Sequence, residues 1–196
     1  MMEADWEIEV GGGAPVIEAL WAGFVDLRRN PERIAEVAEA ASFPPLAKLL
    51  AALNGADSPL WTAKCDVWEV VAENPDLPVQ EAPVEAELTD EVSKTVCIAC
   101  YIDLLPLKET VFARWEEAEE FCRKWVSRLE DGDQPDCRID LIARQAIAGS
   151  EEGFGVTAYL SAMGEYRAKA LDALANALSA FTAAIPKTDQ NPSEQA

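Results

Sequence analysis

Histidine does not occur anywhere in the chain. That absence excludes Ser-His-Asp and Cys-His catalysis, the imidazole proton shuttle and every metal site with a histidine ligand. Carboxylate acid–base chemistry, carboxylate–Mg²⁺ sites, lysine or cysteine nucleophiles, and binding without catalysis remain open. Cationic residues are also scarce, with 16 Lys and Arg against 36 Asp and Glu and a net charge of −20. A field of that sign repels phosphate backbones and anionic lipid, so neither direct nucleic-acid binding nor membrane binding is expected. It attracts a basic protein surface or a cation, although strong negative charge also serves solubility alone.

Long apolar runs are missing as well: none approaches the ~20 residues needed to span a bilayer. The first residues, MMEADWEIEV, are acidic where a secretory signal is basic, and no apolar signal segment follows. Five cysteines make an odd number, without the tight spacing of a disulfide scaffold. The expected compartment is a reducing cytoplasm.

What is present is enough apolar material for one core: 49% hydrophobic residues, with six Trp and six Phe, in 196 residues. Residues 6–10, WEIEV, alternate apolar and acidic side chains as a half-buried strand does. Residues 16–29 then place Ile17, Leu20, Trp21, Phe24 and Leu27 at helical spacing. Asn30 and Pro31 suit the N-cap and first position of a further helix, and Gly55 suits a helix end. Residues 16–55 are therefore expected to be a helical region in more than one piece.

Strand signals follow at 61–71, 95–105, 137–148 and 154–164. In the first, Trp61, Ala63, Cys65 and Val67 alternate with Thr62, Lys64, Asp66 and Trp68. Residues 112–132 carry Trp115, Ala118, Cys122, Trp125, Val126 and Leu129 on one helical face, and 165–185 form a last helix. The order β-α-β-β-α-β-β-α predicts an α+β fold with an antiparallel sheet of four to five strands. The helices pack mainly on one face of it, and WEIEV lies at the edge. The related fragments YIDLL (101–105) and RIDLI (138–142) point to an internal ββα pseudo-repeat. The expected organisation is a single domain over 1–186, with the helical region at 16–55 and two ββα units in 61–186. Residues 187–196 are expected to form a disordered tail.

Cys97 and Cys100 form a C-x-x-C, the spacing of redox dithiols and of half of many zinc sites. A redox pair needs its leading thiol at a helix N-terminus, and a zinc pair needs a turn. Both cysteines lie inside a strand pattern, where residues three apart point to opposite faces. Cys65, Cys122 and Cys137 supply no second pair of this kind. The thiols are expected to pack rather than react, and neither a metal nor another cofactor is expected. The GGG at 11–13 lacks the spacing of a phosphate cradle, and Glu7, Glu9 and Glu18 surround it with the wrong charge.

The strands offer better candidates. Asp66, Asp103 and Asp140 fall on strand faces away from the apolar stripe, with Lys64, Arg138 and Arg144 of opposite sign. Trp68, Tyr101 and Tyr159 accompany them. Carboxylates gathered on a sheet can hold Mg²⁺, mixed charges can simply pair across strands, and exposed aromatics are common interface anchors. Residues 69–91 form a second candidate, an acidic arm with Glu73, Asp76, Glu81, Glu85 and Glu87, three prolines and no basic residue. On the last helix Ala170, Ala173, Ala177, Ala180 and Ala184 form a small-residue stripe. Such a stripe admits close approach of the N-terminal helical region or of a second subunit in a homodimer.

The leading functional expectation is a non-catalytic acidic binding protein that engages a basic protein partner, as an immunity or inhibitor-type protein does. Two others stand beside it. One is a small-molecule- or Mg²⁺-binding domain, enzymatic or not, using the polar sheet face. The other is an accessory subunit of a larger assembly.

Overall fold

The fold is seen in a computed structural model that describes residues 2–11, 15–18, 23–70, 95–129 and 136–185. Along the chain come β1 (Glu3–Ile8), β2 (Val16–Glu18), a 3₁₀ segment (Pro31–Glu36), α1 (Ala38–Ser42) and α2 (Pro44–Leu53). There follow β3 (Leu60–Val70), β4 (Val96–Pro106), α3 (Trp115–Leu129), β5 (Cys137–Ala148), β6 (Glu151–Gly164) and α4 (Arg167–Ala183). The strands form one sheet in the order β1-β5-β6-β4-β3, with β2 also paired to β5. The protein is thus α+β, and no helix among the described residues is long and apolar enough to cross a membrane.

The sheet is mixed, which corrects the purely antiparallel arrangement expected from the sequence. β3–β4, β4–β6 and β5–β6 are antiparallel, whereas β1 and β2 both run parallel to β5. Alternation of apolar and polar residues identifies a strand but carries no direction. No short hairpin ties WEIEV to its neighbour, so nothing local sets its sense. β1 covers Arg138–Ala143 of β5, and β2 covers Ala146–Ala148, completing the same edge.

That completion also overturns the helix expected at 16–29. Val16–Glu18 are strand, and residues 23–29 run without regular helix. The free hydrogen-bonding edge at the end of β5 rewards extended backbone, and β-branched Val16 and Ile17 favour it. Gly23 adopts φ +92, a left-handed conformation that no helix tolerates. Leu27 still reaches the core, at 4% exposure. Helix begins only at Pro31. Asn30 occupies the N-cap position without a capping bond, its amide donating to Asp26 O at 3.4 Å instead.

α3, α4 and α2 pack on one face of the sheet, where Ile98, Ile102, Leu104, Ile139, Leu141, Val156 and Leu160 are buried with Leu46, Leu49, Leu53 and Phe181. The alanine stripe of α4 is used within the chain: Ala170, Ala177 and Ala184 are buried, and Ala173 and Ala180 pack partly against the core. A smaller apolar cluster of Val16, Trp61, Ala63, Leu105, Val111, Ala146 and Ala148 closes one end of the opposite face. The rest of that face is polar.

β3 departs from simple alternation. A bulge between Thr62 and Cys65 sets Ala63 and Lys64 together opposite Asp103. Trp61 and Ala63 therefore join the smaller cluster, while Cys65 and Val67 turn to the main core. The expected common side for Trp61, Ala63, Cys65 and Val67 is split by that one extra residue. Asn54, just past α2, holds the bulged region: its amide donates to Thr62 Oγ1 at 2.8 Å and accepts from Thr62 N at 3.1 Å.

Candidate functional site

The strand register assembles the polar face row by row. One row across the sheet reads Asp5, Asp140, Tyr159, Tyr101, Asp66, each directly opposite the next. The row on one side reads Glu3, Arg138, Ser161, Ala99, Trp68, and the row on the other reads Glu7, Ile142, Thr157, Asp103. Eight of the nine sheet residues singled out in the sequence thus lie on one face, and Lys64 stands in the β3 bulge opposite Asp103. The arm residues Glu73, Asp76, Glu81, Glu85 and Glu87, and the tail at 187–196, lie outside the described residues.

The three strand aspartates share the face but are not brought together. Asp66 and Asp140 stand at opposite ends of the Tyr101–Tyr159 pair, and Asp103 lies one row away. Among the described residues no cluster of three metal-ligating side chains occurs. Each aspartate has a different environment. Asp140 is 6% exposed and accepts from Arg138 Nε at 2.8 Å. Asp103 is 5% exposed and accepts from Thr157 Oγ1 at 2.7 Å. Asp66 is exposed and accepts only from the neighbouring Val67 N–H, at 2.7 Å.

Two of the face's cations are taken up by β1. Arg138 Nη1 donates to Glu3 Oε1 at 2.9 Å as well as to Asp140, and Arg144 Nε donates to Glu9 Oε2 at 2.9 Å. These pairs are the cross-strand neutralisation expected of mixed charges. They leave the face acidic, because Asp5, Glu7 and Asp66 form no ion pair with a described residue, Asp5 acting on Arg138 only at longer range. Trp68, Tyr101 and Tyr159 form a half-buried strip across β3, β4 and β6, with successive ring centroids 6.0 Å apart. Burial, with the charges of Asp103 and Asp66 beside it, pushes the Tyr101 hydroxyl up to about 12, so it stays a neutral donor at ordinary pH.

No family model matches the chain, and neither any curated protein nor any solved structure matches it. Function is accordingly read from this face. The cysteines contribute nothing reactive to it. All five thiols are free, and Cys97 and Cys100 lie on opposite faces of β4. Burial raises the thiol of each above its ordinary value, that of Cys100 furthest. β1 and the residue that follows it supply four carboxylates, Glu3, Asp5, Glu7 and Glu9, that were not among the sequence candidates. Their only signal was the alternation of acids in EADWEIE, which does not say which strand they border.

Asp103 is the most unusual group on the face. Burial raises its pKa, against the opposing effects of the Thr157 hydrogen bond and the charges of Lys64 and Arg144. A raised carboxylate contributes stability that is full below its ordinary value of 3.8 and is lost as pH rises through the folded value. At neutral pH the ionised form thus destabilises the fold relative to a neutral side chain of the same shape. Asp103→Asn, whose amide oxygen still accepts from Thr157, is expected to raise Tm at pH 7. The gain should shrink as thermal melts are repeated toward pH 4. A lower Tm at pH 7 would mean that Lys64 and Arg144 need the charge more than burial opposes it. A carboxylate kept where it opposes stability is commonest at functional sites.

Proposed function

We propose that this chain is a non-catalytic binding protein that engages a basic protein partner on the polar face of its sheet, in the manner of an immunity or inhibitor-type protein. One observation carries the reading. The half-buried strip of Trp68, Tyr101 and Tyr159 is set among seven carboxylates, Glu3, Asp5, Glu7, Glu9, Asp66, Asp103 and Asp140, against three cations, Lys64, Arg138 and Arg144. Aromatic anchors supply contact area, and the surplus negative charge steers and orients a cationic surface. The same charge turns away nucleic acid, which otherwise suits a sheet bearing stacked rings. The net charge of −20 extends the field beyond the face. The two ββα successions, β3-β4-α3 and β5-β6-α4, fit an internal repeat whose central strands β4 and β6 present one tyrosine each.

The test is electrostatic. A partner captured from the source cells should release as NaCl rises from about 0.05 to 0.5 M, where screening shortens to a few ångströms. The triple variant Asp5→Asn, Glu7→Gln, Asp66→Asn should bind it at least about tenfold more weakly. Binding that ignores both salt and these substitutions would sink the reading.

A further inference from the structure

The acidic face is not flat at its β3 end. A cleft of about 630 Å³ lies between residues 23–39 and β3, and it shares Asp66 and Tyr101 with the face. Its lining is mixed, with Val25, Val37 and Ala63 among the apolar residues and Glu36, Glu39 and Asp66 as carboxylates, Glu36 being bonded to Arg33. Neither Glu39 nor Asp66 forms an ion pair with a described residue, and the lining holds three carboxylates against one cation. The one cation of the lining, Lys64, acts on the buried Asp103. Burial first, then the charges of Glu39, Asp66 and Asp103, push the Cys65 thiol, which also lines the cleft, up to about 12.

Apolar wall residues, an excess of carboxylate and a tyrosine ring in the lining describe one kind of occupant. A long methylene stem is needed for the walls, and a cationic head for Glu39 and Asp66. A planar head suits the ring. Guanidinium stacks on aromatic faces and is less strongly hydrated than ammonium, so arginine fits better than lysine. Because the cleft runs onto the Tyr101–Tyr159–Trp68 strip, the remainder of the ligand has a surface to follow. This favours a protein segment over a free small molecule.

Building on the proposed binding of a basic partner, we infer that this cleft is the socket for an arginine side chain of that partner, stacked on Tyr101 and held by Glu39 and Asp66. The probes are hexa-arginine, hexa-lysine and hexa-citrulline amides, titrated calorimetrically at low salt into the full chain. Hexa-arginine should bind about fivefold more tightly than hexa-lysine, and the isosteric, uncharged citrulline peptide should not bind. The pair Glu39→Gln, Asp66→Asn should weaken hexa-arginine about tenfold. Tyr101→Leu should erase the preference for arginine and Tyr101→Phe should retain it, thermal melts reporting whether each variant is folded. Equal binding of the arginine and lysine peptides by the unaltered chain overturns the socket while leaving a basic partner in place. So does unchanged hexa-arginine binding in the Glu39/Asp66 variant. Free arginine amide binding as tightly as the peptide overturns the assignment to a protein segment. Failure of both cationic peptides to bind overturns the proposed function itself.

Discussion

Trp125→Ala is expected to destabilise the protein by about 3–5 kcal/mol, a shift in Tm on the order of 10 °C. Trp125 is fully buried and joins the two long helices to each other. Its ring stacks on Phe181 of α4 at 4.3 Å and 13°, and meets Phe121 edge-on at 5.2 Å and 86°. Its Nε1 has no hydrogen-bond partner among the described residues, so truncation removes packing and leaves a cavity without breaking a polar network seen there. The cost is therefore set by how little α3 and α4 can collapse into the space. Trp125→Phe should recover part of the loss, since a ring again faces Phe181. A double-mutant cycle with Phe181→Leu should show coupling of about 0.5–1.5 kcal/mol, the worth of an aromatic pair beyond its buried area. Urea denaturation of the four proteins measures all these quantities. A loss under about 1 kcal/mol for Trp125→Ala would show that the helices are not tied through this stack.

Gly153→Ala is expected to cost about 1–3 kcal/mol, the range for forcing extra volume into packed structure. A Cβ at this position would lie 2.4 Å from the carbonyl oxygen of Phe112 and 2.7 Å from Val111 Cγ2. The first of these is backbone, and it is fixed: Phe112 and Phe154 exchange two hydrogen bonds of 2.8 Å across a single bridge. That bridge ties the connection between β4 and α3 to β6, and it sets Val111 into the smaller apolar cluster at one end of the polar face. To admit a methyl group the bridge must open. The prediction is therefore local as well as global: amide exchange at Phe112 and Phe154 should accelerate more than exchange in the centre of β4. If both amides stay protected and the urea midpoint is unmoved, the close approach at Gly153 is not what holds this connection.

The local periodicities were readable without coordinates. The stripe of Ala118, Cys122, Trp125, Val126 and Leu129 marks α3, because a helix that covers a sheet must place its apolar groups on one face. Strand signals in the second two-thirds of the chain likewise fall where β3 to β6 occur. They placed Tyr101, Asp103, Arg138, Asp140, Arg144 and Tyr159 on strand faces away from the apolar stripe, since alternation fixes faces once the apolar side is known, but not that these faces coincide. At 16–29 the same reasoning failed. Spacing alone could not weigh a helix there against the vacant edge of β5, which competes for the same backbone groups. At Thr62–Cys65 one bulged residue reversed the faces, and alternation gives no warning of a bulge.

Residue types and periods by themselves determined which chemistry is missing and, away from 16–29 and the β3 bulge, which described segments are helix or strand and which face their residues take. Tertiary structure alone decided which strands are neighbours, because pairing depends on edges and register contributed by distant segments. It was register that set Tyr101 against Tyr159, put Asp66 and Asp140 at the ends of that pair, and brought the acids of β1 to Arg138 and Arg144. It was packing of residues 23–39 beside β3 that made a cleft out of an edge.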